Sequence, residues 1–226
     1  MAELVPVSED IWAVETPISL PGGVRMKTRM TVIRLGDGRL LLHSPVAMDD
    51  ALLRALVSLG PVGYLVAPNR FHHLRMPHAA RRFPEAAVFG APGLREKVRG
   101  LRVDEVLSDD VPAEWASELS QTLVEGAPEM SEVAFFHKKS RTLVVSDLLF
   151  NIVEPEGFAT KMVLTLMGTA GRLAKSRLWW KFTNDKNSFG ASVKKIMEWD
   201  FDRLIMAHGD IVEHDAKPRA THLLSV

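Results

Sequence analysis

The chain has 226 residues and contains no cysteine. Disulfides, thiolate zinc sites and a cysteine nucleophile are therefore excluded. The chain also has no excess of positive or negative charge, because 28 lysine and arginine residues balance 28 aspartate and glutamate residues. The overall charge gives no reason to expect a nucleic-acid partner.

Long apolar runs are absent as well. No segment approaches the roughly 20 uninterrupted apolar residues that a membrane-spanning helix needs. The N-terminal stretch MAELVPVSEDIWAVE carries acidic residues and lacks the apolar core of a signal peptide. We therefore expect no membrane span and a cytoplasmic location, which the absence of cysteine also favours.

What the chain does contain is an alternation of strand-like and helix-like segments. Apolar or β-branched runs predict strands, Gly36-Asp37-Gly38 predicts a hairpin turn, and leucines at helical spacing predict helices. This order predicts an α/β protein in which helices cover a sheet. The predicted strands are 11–14, 30–35, 40–43, 64–67, 87–89, 119–124, 132–136, 142–145 and 201–207. The main predicted helices are 49–59, 92–98 and 188–199, with one or two more in 158–182 that are interrupted near Gly168–Gly171.

The candidate functional residues follow the ends of three predicted strands. His72 and His73 come after one strand, Asp147 ends a second, and His208 ends a third. Because α/β proteins gather ligand-binding groups at the carboxyl ends of strands, we expect these side chains to converge. Two imidazoles and one carboxylate would suit zinc or iron.

The motifs PNRFHH, LVVSDLLFN and FDRLIMAHGDIVE, in this order, resemble the metallo-β-lactamase fold. More narrowly, they are similar to a bacterial branch of that superfamily known as a domain of unknown function (DUF4336). The resemblance extends from Ile11 to about Glu213. It implies an αββα sandwich of the metallo-β-lactamase type, in one domain of residues 1–226 with a helical covering insertion at about 155–199.

The same resemblance implies a depleted metal centre. Active superfamily members carry a His-x-His-x-Asp-His loop, and here Asn69, Phe71 and Leu74 stand at its three histidine positions. His73 stands at the position of the aspartate. A further histidine, expected near Gly126-Ala127-Pro128, is missing. A site for two metals is therefore not expected.

The residues that remain would hold one zinc or iron ion at most, or none. The resemblance implies His73, Asp147 and His208 as the metal ligands, and we predict His72 and Asn69 as catalytic residues that position the substrate. An ordinary structural role is the alternative for each of them. The histidine pair could stabilise its loop by hydrogen bonds, and Asn69 could satisfy the loop backbone.

Two functions of different classes stay open at this stage. The first is a divergent, metal-dependent hydrolase with an unknown small-molecule substrate, in which a metal-bound water would be the nucleophile. The second is a non-catalytic, metal-free binding or interaction protein on the same fold. The segment 158–182, rich in Leu, Met and Trp with basic residues between them, is compatible with covering helices, a lid, a homo-oligomer surface or a membrane-surface helix.

Overall fold

The computed structural model describes residues 2–224. The first half of the chain builds a seven-stranded sheet whose strands lie side by side in chain order. Its first four strands pair antiparallel and the later ones pair parallel. The strands are β1 (Leu4–Ser8), β2 (Ile11–Leu20), β3 (Val24–Arg34), β4 (Leu40–His43), β5 (Val62–Ala67), β6 (Ala87–Gly90) and β7 (Glu105–Val106).

The second half builds a four-stranded sheet in the order β13-β10-β9-β8 and a two-stranded ribbon of β11 and β12. The parallel pairing of β10 with β13 brings the carboxyl ends of these two strands to one edge. The strands are β8 (Leu119–Leu123), β9 (Val133–His137), β10 (Thr142–Val144), β11 (Phe150–Asn151), β12 (Leu173–Ala174) and β13 (Arg203–Ile205).

Helices cover the outer faces of both sheets. Leucines of α1 and the buried residues of α2 pack on the first sheet, and α6 and α7 pack on the second. No helix within residues 2–224 is long and apolar enough to cross a membrane. The helices are α1 (Asp50–Leu59), α2 (Met76–Arg82), α3 (Leu94–Lys97), α4 (Gly157–Met167), α5 (Arg177–Phe182), α6 (Lys186–Glu198) and α7 (Ala216–Leu224).

The two large sheets pack face to face through a shared apolar core. Val66 of the first sheet and Phe135, Val144 and Ile205 of the second belong to this core and are at most 1% exposed. Two sheets packed in this way, with helices outside, confirm the predicted αββα sandwich. The core fixes the strand ends that carry the candidate residues.

The β2–β3 hairpin is longer than the sequence predicts. Its pairing continues out to Leu20 and Val24, whereas the apolar pattern predicts only 11–14 and 30–35. The additional residues include Pro17 and several charged side chains, so they contain no continuous apolar run, although 18–20 and 24–27 do alternate between apolar and polar residues. Strand β1 and helix α7 were also not predicted, because short terminal elements carry little periodic signal.

Acid sensitivity is expected from His43 at the end of β4. The residue is 2% exposed, neither ring nitrogen has a hydrogen-bond partner within the described chain, and the ring packs edge-on against Phe135. Burial, assisted by the charge of His72, lowers the pKa of His43 from 6.5 to about 3. Below pH 6.5 the unfolded chain would therefore bind a proton that the folded chain does not bind.

The free energy of unfolding should consequently fall on acidification, with His43 contributing about 1.4 kcal/mol per pH unit. Urea unfolding of the unchanged protein and of His43→Leu, between pH 7 and pH 4, measures this contribution. The variant should show the shallower pH dependence. Equal slopes for His43→Leu and the unchanged protein would contradict the assignment.

Candidate metal site

Three side chains from separate loops meet at the edge of the sandwich. One nitrogen or oxygen atom from each of His72, Asp147 and His208 lies within 4.8 Å of the others. Nε2 of His72 is 3.4 Å from Oδ2 of Asp147, and Nε2 of His208 is 3.5 Å from Oδ1. Burial would raise the pKa of Asp147, but the two neighbouring imidazoles outweigh burial and hold this pKa below its usual range.

The imidazoles of His72 and His208 are both held by a hydrogen bond at Nδ1, the ring nitrogen that does not face Asp147. Nδ1 of His208 donates to the carbonyl oxygen of Lys27 at 2.8 Å, and Nδ1 of His72 lies 2.6 Å from Oγ of Ser44. In each ring, Nε2 is left facing Asp147. Proteins orient metal-binding imidazoles in this way, and two nitrogens with one carboxylate fit the preferences of zinc or ferrous iron.

A buried arginine of β3 holds the turn that carries His208. The guanidinium of Arg29 donates to the carbonyl oxygens of Met206 and Gly209, both at 2.5 Å. It also forms an ion pair with Glu15 of β2. The carbonyl groups on either side of His208 are thereby tied to the first sheet.

Gly209, directly after His208, has a φ of 96° and approaches the backbone of residue 151 very closely. A Cβ atom added there would lie 2.2 Å from the carbonyl carbon and oxygen of Asn151. We therefore expect Gly209→Ala to lower the free energy of unfolding by about 2–3 kcal/mol and to displace His208.

Chemical denaturation measures the effect of Gly209→Ala. Gly100→Ala is the matched control, because Gly100 also has a positive φ but no atom within 4 Å of an added Cβ. It should cost only the backbone strain, about 1 kcal/mol. Equal losses in the two variants would contradict the close approach at Gly209.

Asn69, fully buried after β5, connects the histidine loop to Asp147. Its Oδ1 accepts hydrogen bonds from the backbone N–H groups of Phe71 and His72, both at 2.8 Å. Its Nδ2 donates to Oδ2 of Asp147 at 2.8 Å and to Oε2 of Glu132 at 3.2 Å. The amide thus fixes both the course of the loop and the carboxylate in the centre.

Glu132, a fully buried carboxylate, holds the backbone around Asp147. It accepts the N–H groups of Ser146 at 2.7 Å, of Asp147 at 2.8 Å and of Leu148 at 3.1 Å. Burial and the negative charge of Asp147 raise the pKa of Glu132 to about 7, against the lowering effect of these hydrogen bonds. Sequence reasoning did not identify Glu132, because its partners lie more than ten residues away in the chain.

The structure groups the predicted residues differently from the sequence analysis. Asp147 and His208 come together as expected, but the imidazole that joins them is that of His72, and His73 is not in the group. His73 is half-buried, and burial lowers its pKa. Asn69 accepts hydrogen bonds from the loop backbone, which is the structural role that was the alternative to positioning a substrate. Its side chain is fully buried and therefore not exposed to a ligand.

A cleft of about 1360 Å³ opens from these three residues to the surface. Most of its lining is apolar, and apart from Asp147 the charged side chains in the described lining are Asp49 and Arg75. The apolar walls come from the β2–β3 hairpin, the histidine loop and helices α4 and α5. They include Leu20, Val24, Met26, Phe71, Leu74, Val163, Met167, Leu178 and Phe182.

A histidine- and aspartate-bearing cleft at the strand ends of an αββα sandwich defines a metallo-β-lactamase-fold protein. Solved structures agree over almost the whole chain. A metallo-β-lactamase from Pontibacter korlensis is 12% identical with a TM-score of 0.68, covering 99% of both chains. The FIM-1 enzyme of Pseudomonas aeruginosa, in its mono-zinc form, is 13% identical with a TM-score of 0.64, covering 99% of this chain and 94% of that one.

A metal-soaked Flv1 flavodiiron core from Synechocystis is similar as well, at 10% identity and a TM-score of 0.68, covering 99% of this chain and 60% of that one. At these identities the likeness shows the fold alone. The chain belongs to the family described as Domain of unknown function (DUF4336), whose model matches residues 8–167. A comparison with curated proteins found no match.

Proposed function

We propose that this protein is a hydrolase with a single metal ion and an uncharged, largely apolar substrate. The observation that carries the proposal is the position of His72, Asp147 and His208 in an apolar cleft. Ligand sites commonly combine apolar walls with a few convergent polar groups. In this proposal His72 takes the ligand role that the sequence analysis gave to His73.

The three side chains would hold zinc or ferrous iron without rearranging their own supports. When bound, such an ion acts as a Lewis acid and lowers the pKa of a coordinated water, which is the chemistry of hydrolysis. The chain keeps the imidazoles pointing inward through Ser44 and the Lys27 carbonyl. The lowered pKa of Asp147 keeps its carboxylate ionised and able to bind a cation.

The apolar walls would bind the part of the substrate that does not react. Burial of one methylene group contributes about 0.8 kcal/mol, so each added carbon of an alkyl chain should raise kcat/KM about fourfold until the cleft is filled. The apolar walls would also displace water from the part of the substrate that they contact, which strengthens polar interactions at the reacting group.

Aryl esters of increasing acyl length, given to zinc- or iron-loaded protein, test this proposal. We expect kcat/KM to rise with chain length and to be lost in His72→Ala. Leu20→Gln, in the cleft wall, should weaken the dependence on chain length, whereas Val57→Gln, an exposed apolar residue of α1 outside the lining, should not. Turnover that is independent of chain length, or unchanged in His72→Ala, would contradict the proposal.

A second candidate is a metal-free protein that binds an apolar ligand without reaction. The observation in its favour is that Asp147 already accepts a hydrogen bond from Asn69 and lies beside two imidazoles. Displacement of a fluorescent apolar probe by alkyl ligands would reveal binding in either case. Displacement without metal binding and without turnover would favour this second candidate.

A further inference from the structure

Helix α4 presents a row of large apolar side chains to solvent. Phe158, Met162 and Leu166 follow one another at intervals of four and are 82%, 50% and 67% exposed. This spacing places them on one side of the helix, while Thr160 and Leu164 on another side are buried. An exposed row of this kind indicates a surface that binds a partner or a membrane.

The start of helix α5 lies beside the end of α4, where the guanidinium of Arg177 donates to the carbonyl oxygen of Leu166 at 3.2 Å. Leu178 and Trp180 are both exposed, and tryptophan is enriched where an apolar phase meets water. We call the exposed apolar and basic side chains of residues 157–182 the α4–α5 face.

The charge of the α4–α5 face has one sign. Five of the 28 lysine and arginine residues lie in this segment and none of the 28 acidic residues does, so the rest of the chain has five more acidic than basic residues. No ion pair with an acidic side chain is formed by these five cations within residues 2–224. They are Lys161, Arg172, Lys175, Arg177 and Lys181. Lys175 is half-buried, with its Nζ over the Trp180 ring, so the exposed cations of the α4–α5 face are the other four.

The α4–α5 face is continuous with the cleft. Val163 and Met167 of α4 and Leu178 of α5 line the cleft. At 3.6 residues per turn, Leu166 lies on the helix surface between the cleft-lining Val163 and the exposed Met162. A surface that covered this face would therefore adjoin the mouth of the cleft.

We propose that the α4–α5 face docks on an anionic lipid bilayer. The apolar side chains enter the boundary between headgroups and acyl chains, as those of interfacial amphipathic helices do. The cations contact the anionic headgroups, while the net negative remainder of the chain faces away from them. In this orientation the apolar cleft opens beside the acyl region, so its substrate is an amphiphile taken from the bilayer.

Docking itself does not require a metal, and only the identity of the substrate rests on the proposed function. A second copy of this chain could also cover an apolar face, in a homodimer. The basic charge disfavours that occupant at a two-fold interface, because the same cations would meet one another there.

Sedimentation with lipid vesicles tests the docking. The full chain is mixed with phosphatidylcholine vesicles, with or without phosphatidylglycerol, and the bound fraction gives a partition coefficient. We expect binding to the mixed vesicles and much weaker binding to phosphatidylcholine alone. Each cation neutralised in Lys161→Gln and Lys181→Gln should lower the partition coefficient about fivefold.

Matched variants separate the face from the rest of the surface. Met162→Gln with Leu166→Gln should abolish most of the binding, whereas Val57→Gln and Lys194→Gln, at exposed positions outside residues 157–182, should leave it unchanged. All of these sites are exposed, and circular dichroism checks that the variants fold. Absence of binding to the mixed vesicles, or an equal loss in the control variants, would overturn the proposal.

Two further readouts complete the test. A dimer that forms without vesicles and that Met162→Gln with Leu166→Gln disperses would overturn the proposal in favour of a second copy. His72→Ala should bind vesicles like the unchanged protein. A protein that binds vesicles but holds no metal would therefore contradict the proposed function alone, and one that holds metal but ignores vesicles would contradict the docking alone.

Discussion

Replacing His72 with alanine is expected to lower the affinity for zinc by more than about 100-fold, since even a residue that only orients a metal ligand contributes about 10–100-fold. His72 is one of the three residues whose ligand atoms converge. Competition with a coloured chelator measures the affinity. Asp147→Asn should show a loss of the same kind, because it removes the one carboxylate of the group.

His73→Ala is the matched control for this prediction. It removes the neighbouring imidazole, which is not in the converging group, and should leave the zinc affinity close to that of the unchanged protein. A large loss in His73→Ala with little loss in His72→Ala would show that the ligand is His73, as the sequence analysis proposed.

Removing the buried carboxylate of Glu132 is expected to give the largest loss of stability. Glu132→Ala leaves the backbone N–H groups of residues 146–148 without their acceptor. It also removes one of the two acceptors of the Asn69 amide, whose other N–H still donates to Asp147. Each buried polar group left unpaired costs about 1–3 kcal/mol. Removal of Glu132 also relieves the repulsion between its carboxylate and that of Asp147, so we expect the free energy of unfolding to fall by about 3–5 kcal/mol, at the lower end of the sum for these groups. Denaturant titration measures the loss.

Glu129→Ala provides the comparison from the same loop. The Glu129 carboxylate is largely exposed and lies 3.5 Å from the Arg70 guanidinium, and exposed ion pairs contribute about 1 kcal/mol or less. A small effect is therefore expected. If Glu132→Ala were no more destabilising than Glu129→Ala, the hydrogen bonds around Asp147 would not have the structural role assigned to them.

The alternation of strands and helices could be predicted because the strands are short apolar runs separated by clear turn signals. The αββα sandwich itself was implied only by the resemblance of three motifs to a known fold. Gly36-Asp37-Gly38 joins β3 to β4, and Asp147 and His208 follow the ends of β10 and β13 as the apolar pattern indicated. These features are local, so a single sequence reveals them. The fold then places the strand ends at one edge.

The choice between His72 and His73 could not be made from strand ends alone. His72 and His73 both line the cleft, but only His72 reaches Asp147 and His208. The hydrogen bonds of Asn69 to the backbone of residues 71 and 72 hold the loop in the course that places His72 there. An asparagine that accepts N–H groups two and three residues later forms an Asx turn. The sequence Asn69-x-x-His72 was therefore the signal that could have indicated His72.

The residues that hold the site in place carried no such local signal. Arg29 reaches carbonyl groups 177 and 180 residues away in the chain. A buried arginine within a strand cannot be distinguished from an exposed one without knowing which face it lies on. Arg29 was therefore found only from the tertiary structure.

X-ray absorption at the zinc edge of protein loaded with one equivalent of zinc tests the central claim most directly. The account predicts one bound ion with two imidazole ligands and further oxygen ligands, and one imidazole fewer in any zinc that His72→Ala retains. His73→Ala should give the spectrum of the unchanged protein. Failure of the unchanged protein to hold zinc or iron, or a spectrum with two imidazoles in His72→Ala, would contradict the assignment of His72, Asp147 and His208 as the metal ligands.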